Sequence, residues 1–364
     1  MLNQRSIYVQ CVTTSQMKGS FDLPEIHFSR FEKKVTINDK VAKFAALHAK
    51  SGDYLRNMFG EQFAYGHREI LLKYCGLDFS TQLLGNLQHG VHGHEQKIDF
   101  RSPRYVAGRK SLYWVFSKTV EELGRKSGHT NIRAIGAPWF YLRDSINLDL
   151  ENRTPSGGVL IMLSHSQTTA FSVSTLNEKS QRAKALRALV GPSAATVCLH
   201  AVDFCDPETT DAFKGEGFDV TCIGSSSFVP RWSQSGNRIR SLYTLINLMM
   251  SHTKFLTDDY GSHLFYAIDM GLEIGIHTDM RDYLRIEDAL SGRPKHADLD
   301  EKVNNRKYLR DFMPESINGF TDSKKYKALA DEKLGRDSVL TPHRLLDVLH
   351  YRKNVYPVST VQPW

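Results

Sequence analysis

The sequence predicts an α/β protein built of two parallel-sheet domains in tandem, facing one another across a central cleft. Three observations predict it. From residue 67 to residue 276, short apolar runs of strand length alternate with helical stretches; strands joined by helical crossovers form parallel sheets covered on both faces. The alternation is interrupted at 150–158, where Asn152, Pro155, Ser156, Gly157 and Gly158 favour turns and resist continuing a helix or a strand. A chain of 364 residues, 41% hydrophobic and 24% charged, is also long enough and apolar enough for two domains.

Residues 1–60 are the least readable part, with a strand expected at 6–12 and a helix around 39–58. The rhythm then becomes regular. A helix at 67–75 and a strand at 81–87 lead into the turn Gln88-His89-Gly90-Val91-His92-Gly93-His94. A strand at 112–116, a helix at 118–126 ended by Gly128 and a strand at 132–135 follow, the last running into Gly136-Ala137-Pro138. After the linker come strands at 159–163, 195–202, 218–223, 254–257 and 273–276, separated by helices at 176–190, 208–215, 240–251 and 262–270. From about residue 280 the tail is charged and reads as helical, with 328–334 and 342–350 as its clearest helices. These features divide the chain into 1–150, 151–280 and 281–364, the last packing across the other two. Short-period repeats and low-complexity segments are absent from the sequence.

Composition narrows the classes. The formal charge of +7 suits anionic partners, whether phosphates, an anionic membrane surface or nucleic acid. Nucleic acid is disfavoured, because the basic residues are dispersed and no RNP, zinc-finger or helix-turn-helix pattern occurs. No run approaches the roughly eighteen apolar residues of a membrane helix, and residues 1–18 lack the features of a secretory signal, so a cytoplasmic protein is expected. The five cysteines show no CxxC spacing and are read as reduced structural thiols. Lys324, Lys325 and Lys327 would favour peripheral contact with anionic lipid at the inner membrane, although such a cluster is also an ordinary solvated face.

In open parallel sheets, ligands sit beyond the carboxyl ends of the strands, and three such junctions carry chemistry. At the first, Gly90 and Gly93 permit close backbone approach, while an imidazole, as at His89 and His92, is a group type suited to act as general base for a hydroxyl. Gln88, Gly90, His94 and Pro138 are candidates to line the cleft or meet the acceptor. A zinc site at His92 and His94, a structural histidine at His89, or a plain polar loop are the competing readings. The second junction, Ser164-His165-Ser166-Gln167-Thr168-Thr169, offers hydroxyls, an imidazole and backbone amides to a phosphate, or serves as an N-cap. At the third, Thr257-Asp258-Asp259-Tyr260-Gly261-Ser262-His263, carboxylates precede a Gly-Ser helix start. That start presents amides to an anion, with capping again the bland alternative and Mg²⁺ at the paired aspartates a further one.

Taken in order, these junctions resemble those of bacterial surface-polysaccharide transferases of the GT-B superfamily. The first is similar to the Gln-His-Gly turn of Kdo-transferase-like, polysialyltransferase-like and teichoic-acid-type glycerophosphotransferase relatives. The strand leading to Ser164-His165-Ser166 resembles their second-domain His-Pro or His-Ser junction, and 258–271 resembles their Gly-Ser/Thr helix start; 131–141 looks like the closing strand of their first domain. His165-Ser166 replaces the more common His-Pro, and Asp258-Asp259 replaces Ser-Asn. The resemblance implies a GT-B fold of two Rossmann-like domains, 1–150 on the acceptor side and 151–280 holding the donor. It implies an inverting, metal-independent transfer, without cofactor, from a nucleotide sugar to a glycan or lipid-linked acceptor, with CMP-linked acidic sugars as the first choice. His89 would act as base, with His92 beside it. His165, Ser166, Gln167, Asp258, Gly261, Ser262 and His263 would hold the donor. A CDP-polyol phosphotransferase, a sugar-nucleotide epimerase and a non-catalytic nucleotide- or carbohydrate-binding module are the alternatives.

Overall fold

The computed structural model describes residues 65–77, 81, 83, 85–91, 112–150, 153, 155–163, 176–199, 201–204, 206–223, 235–258, 260–277 and 307–349. The elements expected at 6–12 and 39–58 lie outside these residues.

The first sheet has three parallel strands in sequence order. Helix α1 (His67–Tyr74) precedes β1 (Gly85–Leu87); β2 (Leu112–Val115), α2 (Lys118–Lys126) and β3 (Ile132–Ala134) complete the unit. The β1 strand starts at a glycine for a packing reason: a Cβ on Gly85 would lie 2.8 Å from both the Trp114 ring and the Leu112 carbonyl oxygen. Ser117 caps α2 by accepting from the Val120 amide, and Gly128, at φ +90°, lets the chain leave the helix. Where the sequence suggested only a strand running into a turn, α3 (Pro138–Ser145) forms. Gly136 and Pro138 look like breakers, yet proline is favoured at the first helical position because its missing N–H has no partner there anyway.

The second sheet contains β4 (Val159–Met162), β5 (Ala195–Leu199), β6 (Asp219–Cys222), β7 (Lys254–Thr257), β8 (Glu273–Ile276) and β9 (Phe320–Thr321), interleaved with helices α4 (Leu176–Val190), α5 (Ala201–Phe204), α6 (Pro207–Gly215), α7 (Ser235–Ser251) and α8 (Ser262–Asp269). Its order is β6-β5-β4-β7-β8-β9, with every pairing parallel except β8 with β9. This is a doubly wound, Rossmann-like order: the chain runs outward from β4 through β5 to β6, then returns to β4's other side for β7 and β8. The β5 strand is shorter than its apolar run, since α5 takes residues 201–204, and α7 begins five residues before the expected helix, at Ser235.

The tail is not wholly helical. Its β9 pairs with β8, and the Asn318 amide donates to the Ile276 carbonyl at 2.8 Å. The chain then crosses back toward the first sheet. Helix α9 (Lys327–Leu334) packs on α8, the Ala137 amide donates to the Leu334 carbonyl at 2.8 Å, and α10 (Pro342–Leu349) follows. One buried apolar cluster joins all three regions: Trp114 of β2 and Phe140 of α3 in the first unit, Phe255 of β7 and Phe265 of α8 in the second, and Leu334 and Leu345 of the tail. Each such side chain contributes about 1.5–3 kcal/mol on burial. The architecture is therefore two Rossmann-like α/β units sharing one core. No helix among the described residues is long and apolar enough to cross a membrane.

Candidate functional site

The strand order fixes where a ligand belongs. The strand order reverses between β4 and β7, and in sheets of this kind ligands bind beyond the carboxyl ends of the strands at such a switch point. Met162 pairs with Thr257 there. The second and third junctions read from the sequence follow these two strands. Of the second, His165, Ser166 and Gln167 lie outside the described residues; so do Asp259 and, at the first junction, His92 and His94.

The third junction is built around Gly261 and the start of α8. Gly261 is the N-cap and supplies no capping side chain; its backbone carbonyl accepts from the Leu264 amide at 3.0 Å. Ser262 is the first helical residue. His263 turns back toward β7: its Nε2 lies 3.1 Å from Thr257 Oγ1 and its ring 5.9 Å from that of Phe255. A Cβ on Gly261 would come within 2.6 Å of His263 Cε1, so this histidine ring is what excludes a side chain at Gly261. Asp258 is buried and ion-paired with Arg182 of α4, whose side chain keeps 34% of its surface exposed.

The first junction meets the third directly. The Val91 amide donates to Ser262 Oγ at 3.1 Å, and Gly90, at φ +81°, approaches so closely that a Cβ would lie 3.3 Å from the same oxygen. Gln88 shapes this turn from inside. It is buried, donates from Nε2 to the Gly90 carbonyl at 2.7 Å and accepts from the Phe116 amide at 2.9 Å, tying the turn to the end of β2. His89 stays half-buried, with the Tyr65 ring 6.1 Å away at 31°. Pro138 is buried at the first turn of α3. The structure thus brings His89, Gly90, Val91, Gly261 and Ser262 to one place, and gives Gln88 an internal bracing position.

Three neighbours escaped the sequence reading. Arg182 reads as one more surface base on an amphipathic helix. Tyr266 reads as part of an apolar helix; its phenol is hydrogen-bonded to Ser262 and its pKa is raised, by burial first and with a smaller effect from Tyr65. Tyr65 stands at the entry to α1, and only the following Gly66 hints that the backbone there is unusual.

No family model matches the chain, and no curated protein does. Among solved structures, it is similar to the UDP-N-acetylglucosamine 2-epimerase of Rickettsia bellii, at 12% identity over 73% of this chain and 64% of that one, with a TM-score of 0.34. It is also similar to the UDP-GlcNAc 2-epimerase of Neisseria meningitidis bound to UDP-GlcNAc, at 9% identity over 71% and 66%, with a TM-score of 0.32. The chain spans less than two thirds of the length of either enzyme. Superposition this loose leaves the fold to the chain's own strand order and says nothing of activity.

Proposed function

We propose that the chain is an inverting, metal-independent glycosyltransferase that moves a sugar from a nucleotide donor to a glycan or lipid-linked acceptor. The observation that carries the reading is the meeting of the histidine-bearing turn with the N-terminus of α8, which has no side-chain cap, across the 3.1 Å bond from Val91 to Ser262. A base and an anion-accepting helix start within one crevice are what displacement at an activated phosphoester needs.

In this reaction the acceptor oxygen attacks the anomeric carbon while the bond from that carbon to the phosphate oxygen breaks. The nucleotide leaves with the bonding pair, and the acceptor proton passes to His89. Amides at the start of α8 and the Ser262 hydroxyl hold the phosphate; one hydroxyl offers a donor and two lone pairs, so Ser262 can donate to phosphate while accepting from Val91. Asp258, a carboxylate, serves here by holding Arg182 at the carboxyl edge of the sheet, where the guanidinium offsets phosphate charge. Residues 1–150 take the acceptor, 151–280 the donor, and 281–364 the crossing tail. His92, His94, His165, Ser166 and Gln167 keep their expected roles in this proposal. A CMP-linked acidic sugar is the first donor to test.

Thermal shifts with CMP, CDP, UDP and GDP identify the base, since a ligand that binds only the native state raises its stability. With the donor found, His89→Ala slows turnover at saturating donor by about a hundredfold or more. Unchanged turnover removes His89 as base. Conversion of the donor sugar without any acceptor establishes the epimerase instead, and binding without turnover establishes a non-catalytic module.

A further inference from the structure

We propose that Tyr65 is a positioning residue that holds the His89 imidazole toward the phosphate-binding end of α8. The inference rests on the reading of His89 and Ser262 given above and adds to it a residue outside every motif in the sequence.

Tyr65 has φ +52° and is followed by Gly66 at φ +77°. Glycine adopts this left-handed region freely, but an aromatic residue occupies it only where its surroundings impose it. An ordinary apolar staple at the start of α1 needs no such strain, because an extended residue supplies the same contact. The surroundings of the ring show what is gained. It lies 6.0 Å from the His67 ring and 6.1 Å from the His89 ring, and it packs against the shared apolar core while remaining half-buried. Its phenol is near enough to Tyr266 to act on that group electrostatically, and Tyr266 is hydrogen-bonded to Ser262 and stacked on Trp139 at 4.2 Å and 8°. The Tyr65 ring therefore stands beside His89, within electrostatic reach of the tyrosine that is hydrogen-bonded to Ser262. Of its contacts, the one to His89 is made by the ring, so the aromatic face matters more than the hydroxyl.

The test compares Tyr65→Phe, Tyr65→Leu and Tyr65→Ala in the full chain. Turnover at saturating donor falls by about tenfold or more in the Leu and Ala variants while nucleotide affinity stays within about twofold, since misplacing a reacting group slows chemistry without removing binding contacts. The Phe variant retains wild-type turnover. In parallel, the His89 ring protons, assigned by NMR with His89→Ala, lose the Tyr65 ring-current shift in Leu and Ala and keep it in Phe. Wild-type turnover in Tyr65→Leu, or a parallel loss of nucleotide affinity, overturns the inference. Unchanged His89 resonances in Leu and Ala overturn it whether or not those variants turn over. Failure of the parent reading appears separately, as a His89→Ala variant that is fully active. If Tyr65→Ala does not fold, the Leu variant carries the same comparison.

Discussion

Asp258 stands at the carboxyl end of β7 with 5% of its side chain exposed, and its charge is matched by Arg182. A buried carboxylate without a counter-charge is costly, whereas the intact pair is worth little by itself. Arg182→Ala is therefore expected to destabilise the protein by about 2–4 kcal/mol, below the fully buried value because the guanidinium is partly solvated. Replacing both members with apolar residues restores most of the loss. Urea titration measures both, and an unchanged midpoint for the single variant rules out the pairing. His252 makes a pH prediction of the same kind. Buried at the far end of the sheet, its Nδ1–H donates to the Leu248 carbonyl at 2.7 Å and its Nε2 lies 3.0 Å from Thr196 Oγ1. Burial, foremost, lowers its pKa. The unfolded chain thus takes up the proton first as pH falls, so this contribution is full above the ordinary histidine pKa of about 6.5 and is lost as pH drops below it. His252→Gln should flatten stability between pH 7 and pH 5, on the order of the unfolded histidine pKa, in denaturant titrations at each pH; an identical pH slope in the variant excludes His252 as the source.

At the scale of the element, α8 ties the molecule together along its length. Ser262 meets the first unit at one end, Tyr266 stacks on Trp139 in the middle, and Asp269 at the other end accepts from Trp139 Nε1 at 2.7 Å. Arg143 and Lys327 also pair with Asp269, so α3, α8 and α9 converge on one buried carboxylate. Asp269→Asn leaves those cations short of charge and should cost about 3 kcal/mol, while Trp139→Phe removes one hydrogen bond and costs about 1–2 kcal/mol. Because they share a partner, the double variant should fall well short of the sum in chemical denaturation; strict additivity would separate the two residues. The helix itself was legible in Leu264–Met270, an apolar run after a Gly-Ser start. The contacts were not, because Asp269 and its partners Trp139 and Lys327 are 130 and 58 positions apart.

At the scale of the whole molecule, the tail makes the two units one body. Gly335, at φ +68°, passes so near β2 that a Cβ would fall 1.8 Å from the Phe116 carbonyl oxygen. Nearby, the Leu340 amide donates to the Tyr141 hydroxyl at 3.0 Å, and Tyr141 in turn donates to the Ile135 carbonyl. Gly335→Ala combines a disfavoured φ with a backbone collision and should cost at least about 2 kcal/mol. Hydrogen exchange then reports the consequence: protection falls in β2 and α3 as well as in α9, because the tail braces the first sheet. Loss confined to α9 would mean the tail is a passive appendage.

The alternation of apolar runs and helices determined the two parallel sheets and most element positions, because hydrophobic periodicity is a local property that tertiary context rarely overturns in long, regular stretches. Glycines and prolines marked the junctions, and the turn at Gln88–Val91 and the start of α8 were visible as chemistry at strand ends. Only the tertiary structure decided that Val91 and Ser262 touch, that Gln88 faces inward, that Asp258 is spent on Arg182, and that Tyr65 lies against His89. Each of these depends on pairing residues distant in sequence, through crossovers whose direction sets the strand order, and no local pattern encodes which loop tips will face one another.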